Sequence, residues 1–160
     1  MSKAPSTPAT RLLREQQVPY TEHLYRYEER GGTRVSSESL GVDEHAVVKT
    51  LVLEDDTRQP LIVLMHGDRE VSLKTLARVI GRKAVSMCDP KTAQRHSGYM
   101  VGGTSPFGTR ERIPVYAERS VLALDRIYIN GGARGFLVEL DPREAIRVLN
   151  PVLLDVAVAR

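Results

Sequence analysis

The stretch Gly98-Tyr99-Met100-Val101-Gly102-Gly103-Thr104-Ser105-Pro106-Phe107-Gly108 decides how this chain is read. Eleven positions hold four glycines, one proline and two small hydroxyl residues. Glycine takes positive φ freely, and proline fixes its own φ and lacks a donor, so neither helix nor strand runs through this segment. Successive backbone N–H groups in such a loop can form a concave site for an anion or a developing oxyanion. A lysine-bearing apolar run, Val47-Val48-Lys49-Thr50-Leu51-Val52-Leu53, lies upstream, and a second glycine-rich segment, Asn130-Gly131-Gly132-Ala133-Arg134-Gly135, lies downstream.

Outward from these segments, the 160 residues suit one domain with one core. Hydrophobic residues make up 41% and charged residues 27%, the balance of a soluble globular protein. No apolar run approaches the roughly 20 residues that span a bilayer. Met1 to Pro8 lacks the apolar core of a secretory signal, and residues 1–6 are expected to be flexible. Cys88 is the single cysteine, which excludes an internal disulfide and agrees with a reducing compartment, so a cytoplasmic protein is expected. The net charge of +3 permits an RNA partner without requiring one. The denser basic positions Arg78, Arg82, Lys83, Lys91 and Arg95 read as a solvated helix face. With no Trp and two Phe, a stacking platform for single-stranded nucleic acid is not expected.

Thr7-Pro8 reads as the N-cap and first residue of a helix ending at Gln17. Tyr20 to Tyr27 reads as a strand, Gly31-Gly32 as a turn or flexible loop, and Ser36 to Leu40 as a short helix stopped by Gly41. Val47 to Glu54 and Leu61 to Met65 are apolar strands joined as a hairpin through Asp55 to Pro60. Ser72 caps a helix to Ile80 with Gly81 as its stop. Ala84 to Met87 is a short strand, and Asp89-Pro90 opens a helix that fails at Ser97-Gly98. Strands follow at Ile113 to Ala117, Ile127 to Asn130 and Phe136 to Leu140, the last two flanking Gly131-Gly132 as a hairpin turn. Asp141-Pro142 caps a final helix to about Leu149. Hairpins mixed with short helices argue for an α+β fold with a curved mixed sheet rather than a doubly wound one.

Lys49 is the chemically notable residue of its strand. With period two it shares a face with Val47, Leu51 and Leu53, and partial desolvation there favours the neutral amine or a directed donor. A lysine snorkelling to water is the structural alternative. Thr50 points to the opposite face, although its backbone N–H can still reach a ligand. His23, His45, His66 and His96 form no local metal motif, and Cys88 has no CxxC partner. The thiol reads as buried and inert. No nucleophile elbow and no phosphate-binding GxxxxGK[ST] loop is present.

The ordered set Val48-Lys49-Thr50-Leu51, Asp89-Pro90, Ala93-Gln94-Arg95, Gly98-Tyr99-x-Val101-Gly102-Gly103-x-Ser105-Pro106-Phe107-Gly108 and Gly131-Gly132-x-Arg134-Gly135 closely resembles the YbaK/EbsC family over nearly the whole chain. These are free-standing aminoacyl-tRNA deacylases related to the editing domain inserted in bacterial prolyl-tRNA synthetases. The resemblance implies a single α+β domain, residues 1–160, with a mixed, barrel-like sheet surrounded by short helices. The implied activity is hydrolysis of mischarged tRNA in trans, first of all Cys-tRNA(Pro), without a metal or other cofactor. By matched position, Lys49 is the essential lysine, Thr50 its neighbour, Tyr25 the pocket tyrosine and Gly102 the glycine whose backbone faces the substrate carbonyl. Gly103 and Ser105 from the same loop, and Asn130, Gly131, Gly132 and Arg134 from the second segment, are the further substrate-binding positions. In cysteine-specific members the substrate's own thiol is taken to attack the ester. The implied partners are aminoacyl-tRNA, held weakly and mainly by its aminoacylated 3′ end, and prolyl-tRNA synthetase; no membrane is involved.

Two positions depart from the cysteine-specific pattern. Leu137 stands where those members often carry an aspartate, and Gly31-Gly32-Thr33 stands where they place a phenylalanine. Both bear on the substrate pocket. They leave open a relative acting on alanyl-, seryl- or threonyl-tRNA, or a module that binds an aminoacyl-tRNA end without cleaving it.

Overall fold

The hairpin of β2 (Val47–Asp55) and β3 (Pro60–His66) is the centre of the computed structural model, which describes residues 3–160. Both strands are mainly aliphatic, and Val47, Val48, Thr50, Val52, Ile62 and Val63 supply the β-branched side chains that a sheet interior favours. Their antiparallel register runs from Val48 opposite His66 to Glu54 opposite Pro60. Asp55 closes the turn. Its buried carboxylate accepts from the Thr57 N–H at 2.8 Å, the Thr57 hydroxyl at 2.7 Å, the Gln59 N–H at 3.0 Å and Arg82 Nε at 2.9 Å. Those donors hold its pKa below the ordinary carboxylate value, led by the Thr57 hydroxyl.

Around this hairpin the remaining strands are β1 (Thr21–Leu24), β4 (Arg69–Val71), β5 (Val85–Met87), β6 (Val115–Glu118), β7 (Ile127–Ala133), β8 (Phe136–Leu140), β9 (Val152–Leu154) and β10 (Ala157–Ala159). The main sheet has the order β1-β8-β7-β2-β3-β6-β9, with β5 also on β2; β4 and β10 form a separate pair. Contacts β7·β2, β3·β6 and β6·β9 are parallel and the others antiparallel, so the sheet is mixed as expected. The outer edge of β2 is shared. β7 pairs with Val47 and Val48, β5 pairs with Leu53 to Asp55, and no strand pairs with residues 49–52 there.

Among the described residues five α-helices pack on this sheet: α1 (Pro8–Glu15), α2 (Gly32–Leu40), α3 (Leu73–Ile80), α4 (Pro90–Ser97) and α5 (Pro142–Leu149). Thr7, Ser72, Asp89 and Asp141 accept first-turn N–H groups at their N-termini. Among the described residues no helix is long and apolar enough to cross a membrane. Period-two alternation gives β2 and β3 two loyalties. Val48, Val52, Ile62 and Leu64 join the larger core with α1, β7, β8 and α5. Leu53, Leu61, Val63 and Met65 join a second core under α3.

Several elements differ from the sequence reading. β1 stops at Leu24, because the chain leaves the ladder after the Tyr25 N–H donates to the Gly135 carbonyl, so Tyr25 and Tyr27 are not strand residues. Gly31-Gly32 is no loose loop: it opens α2. Gly131-Gly132 is not the hairpin turn. It forms a bulge inside β7, with the register shifting between Asn130 and Ala133, and the turn falls at Arg134-Gly135. β4, β9 and β10 are three residues each and pair with distant segments, so no local pattern marked them. Met1 and Ser2, part of the segment expected to be flexible, lie outside the described residues.

The Asp55 turn sets the β2–β3 register. Asp55→Ala is expected to cost about 2–3 kcal/mol, the scale of several hydrogen bonds to a buried charge, read from urea unfolding at pH 7. A carboxylate with a depressed folded pKa stabilises above its unfolded value and loses that contribution as pH falls. The wild-type and variant stabilities should therefore converge below the ordinary carboxylate value of 3.8.

Candidate active site

The open edge of β2 at residues 49–52 forms the floor of a cleft of about 670 Å³. Its walls are the Tyr25–Arg30 segment, the start of α2, the Met87–Pro90 segment, the Val101–Thr104 part of the glycine loop, and Asn130, Arg134 and Leu137 from β7, β8 and the turn between them. The Val52 carbonyl accepts from the Cys88 N–H at 3.1 Å, and the Val47 carbonyl, on the other edge, accepts from Gly67. By strand alternation the backbone N–H and C=O of Thr50 therefore face the gap. Among the described residues the Thr50 Oγ1 is the buried side-chain polar atom left without a hydrogen-bond partner. Buried hydroxyls are ordinarily satisfied, so an unpaired one in a cleft marks a place for a ligand's polar group.

Lys49 lines the same floor. Its ammonium donates to the Arg69 carbonyl of β4 and lies 3.9 Å from Glu70 Oε1. Burial pushes its pKa below the usual lysine value, while Glu70 pulls the other way. Tyr25 lines the cleft with its phenol pushed up by burial, the Gly135 backbone beside the phenol oxygen pulling the other way.

The glycine loop is braced from below. Asn130 Nδ2 donates to the Gly102 carbonyl at 3.1 Å, and Arg134 Nε donates to the Val101 carbonyl at 2.9 Å. The Asn130 Oδ1 in turn accepts from the Gly132 and Ala133 N–H groups, which holds the β7 bulge in shape. Gly102 has φ +90°, and a Cβ there would stand 2.6 Å from the Tyr27 hydroxyl. Arg134 stacks over the Tyr27 ring at 4.9 Å. Glycine is required at 102 on both counts, positive φ and close approach.

Lys49, Thr50, Tyr25, Gly102, Asn130 and Arg134 thus meet at one cleft. Gly103, Ser105, Gly131 and Gly132 stand behind its wall. A Cβ on Gly103 would press on the Ala133–Arg134 backbone, one on Gly131 on the Phe136 ring, and one on Gly132 on Tyr99 and Thr7. The Ser105 hydroxyl is fully buried and accepts from the Phe107 N–H at 3.2 Å. Leu137 lines the cleft, as its place in the pocket pattern implied, and Tyr27, Arg30 and Met87 line it although the sequence did not mark them as binding residues. For these three the Tyr25-x-Tyr27 spacing is the one signal the sequence offers, and its composition reads as a strand. Cys88 also lines the cleft, its thiol pushed up to about 11 by burial with Glu54 and Asp89 adding to the rise, so it is no ready nucleophile. Among the described residues two groups bring together atoms able to ligate a metal: Glu54, Cys88 and His96, of which Cys88 lines the cleft, and His45, His66 and Asp68.

Residues 32–148 match the model of the aminoacyl-tRNA editing domain. The chain belongs to the aminoacyl-tRNA editing domain family. Within it, the chain is 32% identical over 145 residues to the Enterococcus faecalis protein named "Putative Cys-tRNA(Pro)/Cys-tRNA(Cys) deacylase EbsC", covering 90% of this chain and 88% of that one. It is 29% identical over 105 residues to a proline–tRNA ligase of Desulforamulus reducens, matching 65% of this chain and 18% of the ligase. The editing-domain fold is shared with a solved structure titled "hypothetical protein APE2540", with TM-score 0.87, 22% identity, and 95% of this chain and all of that one covered. It is also shared with "a putative trans-editing enzyme for prolyl tRNA synthetase", with TM-score 0.82, 18% identity, and 98% of this chain and all of that one covered.

Gly102→Ala should strain this editing domain at one point. A left-handed backbone with a Cβ costs about 1–2 kcal/mol, and the Tyr27 ring must move as well. Urea unfolding should show that loss, and amide exchange at Val101 to Gly103 should accelerate. Unchanged exchange in this variant would show that the Gly102–Tyr27 contact does not order the loop.

Proposed function

We propose that the protein removes wrongly attached amino acids from tRNA in trans, with cysteine carried by the proline tRNA as the first substrate. The observation that carries this reading is the unpartnered Thr50 hydroxyl at the open edge of β2, facing a braced glycine loop, in a chain of the editing-domain family. The name of the Enterococcus faecalis relative supports the deacylase chemistry and the cysteine substrate. The match to part of a proline–tRNA ligase supports prolyl-tRNA synthetase as a partner.

The cleft offers donors rather than a nucleophile. The Thr50 edge and the Gly102 loop bind the aminoacyl ester, and Lys49 supplies a positive charge as the oxyanion develops; preorganised donors of this kind are the usual largest contribution to acyl transfer. With Cys88 held as a neutral thiol, the attacking sulfur comes from the substrate. The substrate's thiol forms a C–S bond to its own ester carbonyl and gives up its proton, which the leaving ribose oxygen takes. The ester C–O bond breaks, and water opens the resulting thiolactone. The ammonium must leave the Arg69 carbonyl to reach the ester, a swing that the four-carbon stem allows.

A second reading concerns the amino acid. Leu137 is buried, apolar and part of the cleft lining. That surface suits alanine, and it leaves serine and threonine open as further mischarged substrates. A module that holds the charged tRNA end without cleaving it is the non-catalytic form of the same site.

Lys49→Ala is expected to lower kcat/KM for deacylation by about 10²–10³-fold, the usual cost of losing one oxyanion-stabilising group, with circular dichroism and melting little changed. Turnover equal to wild type would remove Lys49 from the chemistry. A panel of cysteinyl-, alanyl-, seryl- and threonyl-tRNAs should give cleavage of at least one, with cysteine fastest; inertness on all would leave only the binding module. Because the net charge is +3 and stacking aromatics are few, binding should be weak and salt-dependent. The isolated protein should then release one amino acid from several tRNA bodies at comparable rates.

A further inference from the structure

Glu54, Cys88 and His96 come from three elements: the end of β2, the residue after β5, and α4. The pairing of β5 with β2, which sets Leu53 opposite Met87, brings the first two together, and α4 lays His96 over them. One carboxylate oxygen, the thiol sulfur and one imidazole nitrogen lie within 4.8 Å of one another. His96 is 6% exposed. Its Nε2 is 2.8 Å from Glu54 Oε2, and its Nδ1 is held by the Glu111 carboxylate. A metal-ligating histidine ordinarily gives its far ring N–H to a carboxylate, which fixes its tautomer and aim. Glu111 occupies that place.

We propose that Glu54, Cys88 and His96 bind a divalent cation of the zinc type, with Glu111 orienting His96 and a fourth coordination position left for a ligand in the cleft that Cys88 lines. Carboxylate, thiolate and imidazole are the donors zinc takes, and three protein ligands leave one position open. In a tetrahedral site with bonds of about 2.0–2.2 Å, nitrogen and oxygen donors stand about 3.3 Å apart. The ion therefore enters with the His96–Glu54 pair opening by about 0.5 Å. Binding expels two protons to solvent, the Cys88 thiol proton and the one held between His96 Nε2 and Glu54, leaving thiolate, imidazole and carboxylate donors for the cation. The site is independent of the deacylase reading, and no step of ester cleavage is assigned to the ion.

The ligand atoms of His45, His66 and Asp68 lie equally close together, but neither ring nitrogen of His66 meets another side chain of that group. The two imidazoles stack flat, 3.6 Å apart and 9° from parallel. Both nitrogens of His66 are taken, by the His45 carbonyl and by Ser120 Oγ, each at 2.7 Å.

The test is a titration of the full chain, stripped of metal by a chelator, with Co²⁺ followed by Zn²⁺. One Co²⁺ per chain should bind, with the visible bands of a tetrahedral ion and a sulfur-to-cobalt charge-transfer band, and Zn²⁺ should displace it. Cys88→Ser should abolish the charge-transfer band and weaken Zn²⁺ binding by more than about 100-fold, beyond the reach of outer-shell loss. Glu111→Gln should keep the band and weaken binding by about 10–100-fold. Asp68→Asn should change neither. Absence of 1:1 binding, Co²⁺ bound without the sulfur band, or equal Zn²⁺ affinity in wild type and Cys88→Ser would each overturn the proposal. The wild-type spectrum decides the matter even if Cys88→Ser fails to fold.

Discussion

The molecule depends on one incomplete ladder. β2 is the strand through which both cores and both halves of the sheet are joined, yet its outer edge is paired only at its two ends. Backbone polar groups inside a protein are nearly always satisfied, because stranding them costs as much as a lost hydrogen bond. Leaving the middle of the most central strand open is therefore tolerable only where water or a ligand reaches it. The cleft is the structural consequence of β7 ending its pairing early and β5 beginning its own late.

The glycine loop answers a different demand. A loop that stabilises a developing charge must be set before the charge appears, since reorganising dipoles during the reaction forfeits the gain. Here the loop is tied at consecutive carbonyls by Asn130 and Arg134, and Arg134 and Gly102 together enclose the Tyr27 ring. The β7 bulge makes this possible, because Asn130 stays paired with Leu137 while Gly131 and Gly132 leave the ladder just beyond it. Gly131 and Gly132 are glycines for the sake of Phe136, Tyr99 and Thr7 behind them. Their contribution to the cleft runs through the backbone they shape.

Much of this was legible in the sequence, and the reasons are local ones. Proline and glycine punctuation, together with capping residues such as Thr7, Ser72 and Asp89, fixed helix ends to within a few residues. The period of Val47 to Leu53 placed Lys49 and Thr50 on opposite faces. What escaped is what distance in sequence conceals. The Tyr25–Tyr27 segment has strand composition and leaves the strand to form a wall. The short strands β4, β9 and β10 exist only through remote partners. Glu54, Cys88 and His96 obey no spacing rule because a sheet pairing and a helix, rather than one motif, bring them together.

Lys49 and Thr50 are neighbours doing opposite work, and the pairing of β2 with β3 decides which is which. A slip of one residue would exchange the two faces along the whole strand, sending the lysine into the larger core and the hydroxyl toward Arg69. The turn at Asp56 to Gln59 touches no part of the cleft, yet its length sets that pairing. Insertions and deletions, which surface turns usually absorb without harm, are thereby confined here to those that keep Val48 opposite His66. A remote and exposed turn thereby fixes which side chains the site receives.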